Sequence, residues 1–206
     1  MIAVVDYGVN NLRSVVRAVV AGGHEATLTA DPETVHRAGR VLVPGVGNFG
    51  QASRNLAASG LGAAIREVAD AGRPVMGICL GLQLFFRTSE EAPEAAGLGL
   101  LPGTVRRFRT DLPVPHVGWS SVRLTAEGTR HPVLAGLFPD GEQFFYHVHS
   151  YHPAGLPDGV ALATAAYDGP VPTIVGQGNV LGAQFHPEKS QQAGIALLAR
   201  FAEWAP

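Results

Sequence analysis

Apolar positions in the first half of the chain come as short unbroken runs separated by helical stripes. Ile2 to Val5 is one such run and ends at Asp6-Tyr7-Gly8. Beyond it Leu12, Val15, Val16, Val19 and Val20 recur at i, i+3, i+4, i+7 and i+8, one face of an amphipathic helix. Gly22-Gly23 stops that helix, and His24 to Thr29 predicts a second strand. Asp31-Pro32 joins an N-cap residue to a proline at the first helical position. Val41-Leu42-Val43 predicts a third strand, followed by the turn Pro44-Gly45-Val46-Gly47. Leu56 to Ala71 predicts a helix and Pro74 to Ile78 a fourth strand. Strands without polar alternation, each followed by a helix, predict a parallel sheet covered on both faces.

The second half has a different rhythm. Val105–Phe108, Val122–Leu124, Phe144–Val148, Val160–Ala166, Thr173–Val175 and Val180–Phe185 are strand candidates divided by Gly/Pro turns. Gly178-Asn179 predicts a tight hairpin into the last of them, and Ile195, Leu198, Ala199 and Ala202 mark a closing helix. No repeat or linker divides the chain, so residues 1–206 read as one α/β domain with antiparallel additions.

Composition narrows the classes of function. With 206 residues the chain suffices for a packed domain of ordinary size. Its 15 Lys+Arg against 17 Asp+Glu give a formal net charge of −2, which points to neither nucleic acid nor a membrane surface. One cysteine excludes an internal disulfide framework and fits a reducing compartment. The first residues read as a strand rather than a signal peptide, and no apolar run reaches membrane-spanning length. A cytoplasmic protein is the expectation.

That single cysteine is the first candidate for chemistry. Cys79 lies in Val75-Met76-Gly77-Ile78-Cys79-Leu80-Gly81-Leu82-Gln83, where an apolar strand leads in and a helix-like run leaves. This is the pattern of a nucleophile elbow, with Gly77 and Gly81 making room for a tight turn. A thiol at a helix start also feels the positive end of the helix dipole. The same local pattern fits a buried, inert thiol. Gln184-Phe185-His186-Pro187-Glu188 tips the balance, because it brings a base and a carboxylate two residues apart to the end of the last strand. Alternation along an extended segment would put His186 and Glu188 on one side. Cys79, His186 and Glu188 therefore read as a triad at the carboxyl edge of the sheet. The N–H of Leu80, just after the nucleophile, and an N–H from the Pro44–Gly47 turn would receive a developing oxyanion.

Three other patterns lead elsewhere. Gly45-Val46-Gly47-Asn48-Phe49-Gly50 matches a dinucleotide fingerprint, but Glu67 and Asp70 fall in a helix instead of ending the next strand, and Pro44 interrupts the entry. His147-x-His149-x-x-His152 offers two alternating ligands and no third at metal spacing, so no metal is expected. Arg106-Arg107-x-Arg109 reads as a solvated edge, and Trp119 as a core or edge aromatic.

Gly77-x-Cys79-x-Gly81-x-Gln83 and Phe185-His186-Pro187-Glu188 resemble the motifs of the class I, triad-type glutamine amidotransferases. Further stretches resemble the glutaminase subunits of imidazole glycerol phosphate synthase. These are Asp6-Tyr7-Gly8 with Asn11-Leu12-Arg13-Ser14, Pro44-Gly45-Val46-Gly47-x-Phe49, Gly97 to Gly103, Pro115-His116-Val117-Gly118-Trp119 and His149-Ser150-Tyr151. Subunits of anthranilate synthase, GMP synthase and carbamoyl phosphate synthase share the triad motifs, and a catalytically silent binding module remains an alternative. The resemblance implies a flavodoxin-like fold with a central, mostly parallel sheet. It implies Cys79 as nucleophile, His186 as acid and base, Glu188 as its orienter, and Val46 and Leu80 as oxyanion donors. Gly47, Gln83, Glu91, Ser150 and Tyr151 would hold L-glutamine, with no cofactor. Asn10, Asn11, Trp119, Tyr146 and Lys189 would meet a (β/α)8 cyclase partner that consumes the ammonia. Asn10 stands where family members usually carry a second glycine, and Thr164–Tyr167 lacks their usual acidic residue.

Overall fold

The computed structural model describes residues 1–206. Its first half alternates β1 (Ile2–Val5), α1 (Leu12–Ala21), β2 (Ala26–Thr29), α2 (Pro32–Arg37), β3 (Arg40–Gly45), α3 (Phe49–Ala58), α4 (Leu61–Asp70), β4 (Val75–Cys79) and α5 (Leu80–Gln83). The second half supplies β5 (Thr104–Arg107), β6 (His116–Leu124), α6 (Ala126–Arg130), β7 (Glu142–His149), β8 (Tyr151–Ala154), β9 (Ala161–Ala166), β10 (Pro170–Gln177), β11 (Val180–Ala183) and α7 (Gln191–Glu203).

Nine strands form one sheet in the order β2-β1-β3-β4-β11-β10-β9-β6-β7. The first five are mutually parallel. Their order is that of the flavodoxin-like doubly wound sheet, with β11 taking the fifth place. From β11 outward every pairing is antiparallel. The sheet is therefore mixed in nearly equal parts, and its parallel half is where strands end in loops facing one edge.

Both faces of β1, β3, β4 and β11 are buried, and only the edge strand β2 is not. Alternation along β1 sends Ala3 and Val5 into a core completed by Val35 of α2, Leu56 of α3 and Ile65 of α4. Ile2 and Val4 enter a second core with Val15 and Val19 of α1 and Leu197, Leu198 and Phe201 of α7. Burial on both faces explains why these strands read as continuous apolar runs. At roughly 1.5–3 kcal/mol for each fully buried aliphatic or aromatic side chain, these two layers dominate the stability of the fold.

Several expectations needed correction. The helix over Leu56–Ala71 is two helices, broken at Ser59-Gly60, where Gly60 takes φ 75. That left-handed turn is natural to glycine and lets α4 set off in a new direction. The helix-like run after Cys79 forms only the four residues of α5, so its dipole is that of a single turn. Pro44 does not interrupt β3, because pairing with β1 has ended by Leu42 and only β4 continues beside it. A strand without a neighbour on one side tolerates a missing N–H there. Strand β6 begins at His116, well before Val122, and β8 pairs with β5 in a separate two-stranded sheet.

Candidate active site

Strands β3 and β4 and the exit of β11 deliver their ends to one edge of the sheet. Gly45 of β3 lies opposite Cys79 of β4, and Ala183 of β11 lies opposite Ile78. Three residues beyond Ala183 comes His186. Strand order alone thus brings together segments more than a hundred positions apart.

Cys79 sits at φ 53, ψ −108, a conformation that non-glycine residues avoid. The turn is held by its glycines: a Cβ on Gly77 would collide with the backbone of Gly81 and Leu82, and one on Gly81 would land on the Val43 carbonyl. Strain at a single reactive side chain, enforced by close-packed backbone, is the signature of an elbow.

His186 Nδ1 and Glu188 Oε1 are 2.7 Å apart, and both side chains are buried. The pairing does not arise from alternation along a strand. Glu188 lies in the 3-10 turn Pro187–Lys189, with His186 as its extended N-cap. A tight turn folds the carboxylate back onto the imidazole, and Pro187 at the first position favours that turn. Ser190 Oγ donates to the His186 carbonyl at 2.7 Å and accepts from Tyr146 N–H at 3.0 Å, pinning the turn to β7. Burial alone would lower the His186 pKa, but the neighbouring Cys79 and Glu188 carry it up to about 9. Nε2 of His186 is buried without a well-formed hydrogen bond.

Cys79, Leu80, Val46, Gly47, Gln83, Glu91, Ser150 and Tyr151 line one cavity of about 420 Å³. Lys189, Pro115, Val148 and His149 complete its wall. Glu91 is fixed from behind by Phe49 N–H, which donates to Oε2 at 2.8 Å. The Pro44 carbonyl accepts from Tyr7 Oη at 2.7 Å, so the stretch leading to Val46 is anchored to the end of β1. Burial, and secondarily the nearby Cys79, push the Tyr7 phenol up, keeping it a donor.

Sequence reasoning missed three features. Asn11, assigned to a partner surface, turns inward and donates from Nδ2 to Glu188 Oε1 at 2.5 Å. Gln184, fully buried, donates from Nε2 toward Cys79 Sγ at 3.7 Å. A polar side chain inside an apolar strand exit was the available signal, since a buried amide needs partners. His116 joins His147 and His149 in a buried cluster. His147 Nδ1 and His149 Nε2 are 3.2 Å apart, and His149 Nδ1 donates to the Tyr151 carbonyl at 2.9 Å. His116 and His147 stack with their planes 16° apart at 4.8 Å, so their in-plane lone pairs do not converge on one point. His152 points away, stacked on Phe108 at 4.6 Å. Burial holds His149 at about 3, with smaller opposing effects, and drives His147 lower still, so both are neutral.

Among the other sequence-derived residues, Asn10 is exposed and Asn11 half-buried. Trp119 lies outside the core, 47% exposed, on the part of β6 that pairs with β7 alone, because β9 covers only Val122–Leu124, and it meets Tyr146 edge-on at 6.2 Å. Lys189 Nζ stands 5.7 Å above the Tyr146 ring. Arg106, Arg107 and Arg109 are exposed, with Arg109 reaching Glu90 at 3.2 Å.

A cysteine elbow in the wall of a cavity, with a buried His–Glu pair at the same edge of a flavodoxin-like sheet, is an arrangement suited to acyl transfer through a thiol. The chain belongs to the class I glutamine amidotransferase family, whose sequence model, "Glutamine amidotransferase class-I", matches residues 3–204. It is 46% identical over 200 residues to the imidazole glycerol phosphate synthase subunit HisH of Symbiobacterium thermophilum, covering 97% of this chain and 92% of that one. The subunit of the same name from Bacillus cereus is 44% identical over 201 residues, 98% of this chain and 93% of its own. Among solved structures, a "glutamine amidotransferase" superposes with TM-score 0.77 at 23% identity, over 98% of this chain and 97% of that chain, a likeness of fold.

Proposed function

We propose that this chain is the glutaminase subunit of an imidazole glycerol phosphate synthase and releases ammonia from glutamine for a cyclase partner. The observation that carries the reading is the strained Cys79 beside the 2.7 Å His186–Glu188 pair, at the wall of one cavity. Identity above 40% to two HisH subunits, over nearly the whole chain, supports the choice among glutaminases.

In this reading the Cys79 thiolate attacks the side-chain amide carbon of glutamine and forms a C–S bond. The resulting oxyanion meets the N–H groups of Leu80 and Val46. Collapse breaks the C–N bond, and His186 Nε2 protonates the departing ammonia. Water, deprotonated by His186, then cleaves the thioester to glutamate and restores the thiolate. Glu188 orients the imidazole and stabilises its cationic form. Gly47, Gln83, Glu91, Ser150 and Tyr151 hold the glutamine. No step calls for a cofactor.

The partner reading draws on surface chemistry. Val117, Trp119 and Phe144 are exposed, and pairing of Val117 with Val148 and Trp119 with Tyr146 puts them on one face of β6–β7. Val148 and Lys189 are also in the cavity wall, so this apolar face runs up to the site of ammonia release. Aromatic side chains are enriched at interface centres. A (β/α)8 cyclase, docked here and over the Asn10–Asn11 loop, would receive ammonia without its passing through solvent.

The test is a glutaminase assay of the chain alone and with a cyclase subunit and its nucleotide substrate. Glutamate release that rises on adding the pair, and vanishes in Cys79→Ala, is expected. Full activity of the chain alone, or stimulation only by a chorismate-using partner, overturns the assignment.

A further inference from the structure

Gln184 is a fully buried polar residue outside the triad. Its orientation follows from a chain of hydrogen bonds with one possible direction. The Tyr151 carbonyl can only accept, so the atom of Gln83 lying 3.2 Å from it is the amino nitrogen Nε2. That nitrogen is also 3.1 Å from Gln184, which must present its own oxygen, Oε1, to receive the second hydrogen. The remaining end of the Gln184 amide is therefore its NH2 group, and it lies 3.7 Å from Cys79 Sγ. Flipping Gln184 would set two amino groups against each other and turn an oxygen toward the sulfur, losing both contacts.

We propose that Gln184 is a donor to the nucleophile: its N–H stabilises the Cys79 thiolate over the thiol, and Gln83 imposes the orientation that makes this so. A neutral N–H gains more from a sulfur anion than from a neutral sulfur. Gln184 therefore acts where the sulfur is charged, before attack and again when thioester hydrolysis returns the thiolate. In the acyl-enzyme the sulfur is neutral and the contact weakens. Because Gln83 lines the cavity, a ligand that engages it also acts on the hydrogen bond that fixes Gln184. The proposal rests on Cys79 being the nucleophile of the proposed function, and it extends the machinery beyond the three triad residues.

Cys79 is the only cysteine, so alkylation by iodoacetamide reports on it without further substitution. His186 and Tyr7 also face the sulfur, so the rate of alkylation against pH reports the coupled site, and Gln184 is read from the change between parent and variant. Gln184→Met keeps length and removes the donor; Gln184→Glu keeps an oxygen for Gln83 and turns a second acceptor toward the sulfur. Both variants are expected to move the alkylation midpoint upward. For Gln184→Met the shift is about one pH unit, tenfold in thiolate at fixed pH below the midpoint. Gln184→Glu moves it further. The plateau at high pH stays at or slightly above that of the parent, since a more basic thiolate is the better nucleophile. Glutaminase kcat/KM of the complex falls in proportion at neutral pH, with kcat carrying most of the loss. Unchanged midpoints in folded variants, checked by circular dichroism, overturn the proposal and reduce Gln184 to packing. Should Gln184→Met fail to fold, Gln184→Glu supplies the same reading. Alkylation needs no glutamine turnover, so a chain that shifts its midpoint yet never releases glutamate counts against the proposed function alone.

Discussion

Asn11 and Glu188, 177 positions apart, meet in a hydrogen bond of 2.5 Å that ties the loop before α1 to the carboxylate paired with His186. An asparagine at an N-cap ordinarily folds its side chain onto its own helix. Asn11 does not: it takes φ 73, makes no side-chain cap, and spends its amide on Glu188. The same oxygen, Oε1, also receives His186 Nδ1, so one carboxylate atom is held from two sides. Asn11→Gly keeps the left-handed backbone and loses the contact, whereas Asn11→Ala loses both. Glutaminase activity of the complex should drop about tenfold in both variants. Only Asn11→Ala should also lose about 1 kcal/mol of stability in urea melts, from alanine at positive φ. Equal activity in parent and Asn11→Gly would show that the contact does not position Glu188.

His186 has its pKa raised to about 9, above the usual histidine value, so its protonated form is favoured by the fold. The sign follows: this stabilisation is fully present below about pH 6.5 and is lost as pH rises through about 9. Thermal midpoints should decline across that window, and Cys79→Ala or Glu188→Gln should flatten the decline by removing a partner. Turnover should fall on the same alkaline limb, since in the proposed mechanism ammonia departs with a proton from His186. Glu188→Gln should cost on the order of 10²–10⁴-fold in kcat while preserving shape.

His147 and His149 are displaced the opposite way, held neutral by burial. Their contribution is present above about pH 6.5 and lost as pH falls toward their depressed folded values. Each adds a slope of at most about 1.4 kcal/mol per pH unit below 6.5. His116, His131 and His152, also displaced downward by burial, add to that slope, so urea titrations at pH 6.5, 5.5 and 5.0 should show it and His147→Phe should reduce it by the share of one histidine. An unchanged slope in His147→Phe would mean that this histidine charges without unfolding.

Gly81 and Gly47 separate two reasons for a glycine. A side chain on Gly81 meets the Val43 carbonyl, a backbone atom that cannot yield without moving β3. Gly81→Ala should therefore cost about 3 kcal/mol or more, or prevent folding. Gly47, at φ 125, has open space where a Cβ would lie. Gly47→Ala should cost only about 1–2 kcal/mol, from backbone strain, and leave a folded protein whose glutamine pocket is altered. Circular dichroism and urea denaturation read both.

Trp119 is exposed on a sheet face that runs up to the cavity. Trp119→Ala should change stability by less than about 0.5 kcal/mol, as exposed substitutions do. Affinity for the cyclase should fall about 10–100-fold, measured by titration calorimetry. Undiminished affinity would move the docking face elsewhere.

Most of the parallel half of the fold was legible because β1, β3, β4 and β11 are buried on both faces and so read as apolar runs, whereas β2, at the sheet edge, has no fully buried residue. Leu56–Ala71 misled because a glycine in the middle of a helical stripe does not announce whether it is tolerated or turns the chain. Strand β6 was read only in part, since Gly118, Ser120 and Ser121 hide its first half and its exposed aromatic breaks the alternation. The closeness of His186 and Glu188 was legible through spacing, although the carboxylate arrives by a 3-10 turn instead of by strand alternation. Gln184 and Asn11 carried no legible role because their partners lie 105 and 177 positions away.

Local chemistry is written in the chain itself: a thiol between two glycines, a histidine and carboxylate around a proline, apolar strands spaced by helices. Those features depend on neighbours a few bonds away, and covalent geometry enforces them wherever the segment goes. Strand order is what brought β3, β4 and β11 to one edge and turned three separate motifs into a cavity. It also decided which way the Gln83 and Gln184 amides face, and which side chain steadies Glu188. Hydrogen-bond direction depends on the groups that packing brings within about 3 Å, and no spacing along the chain encodes them.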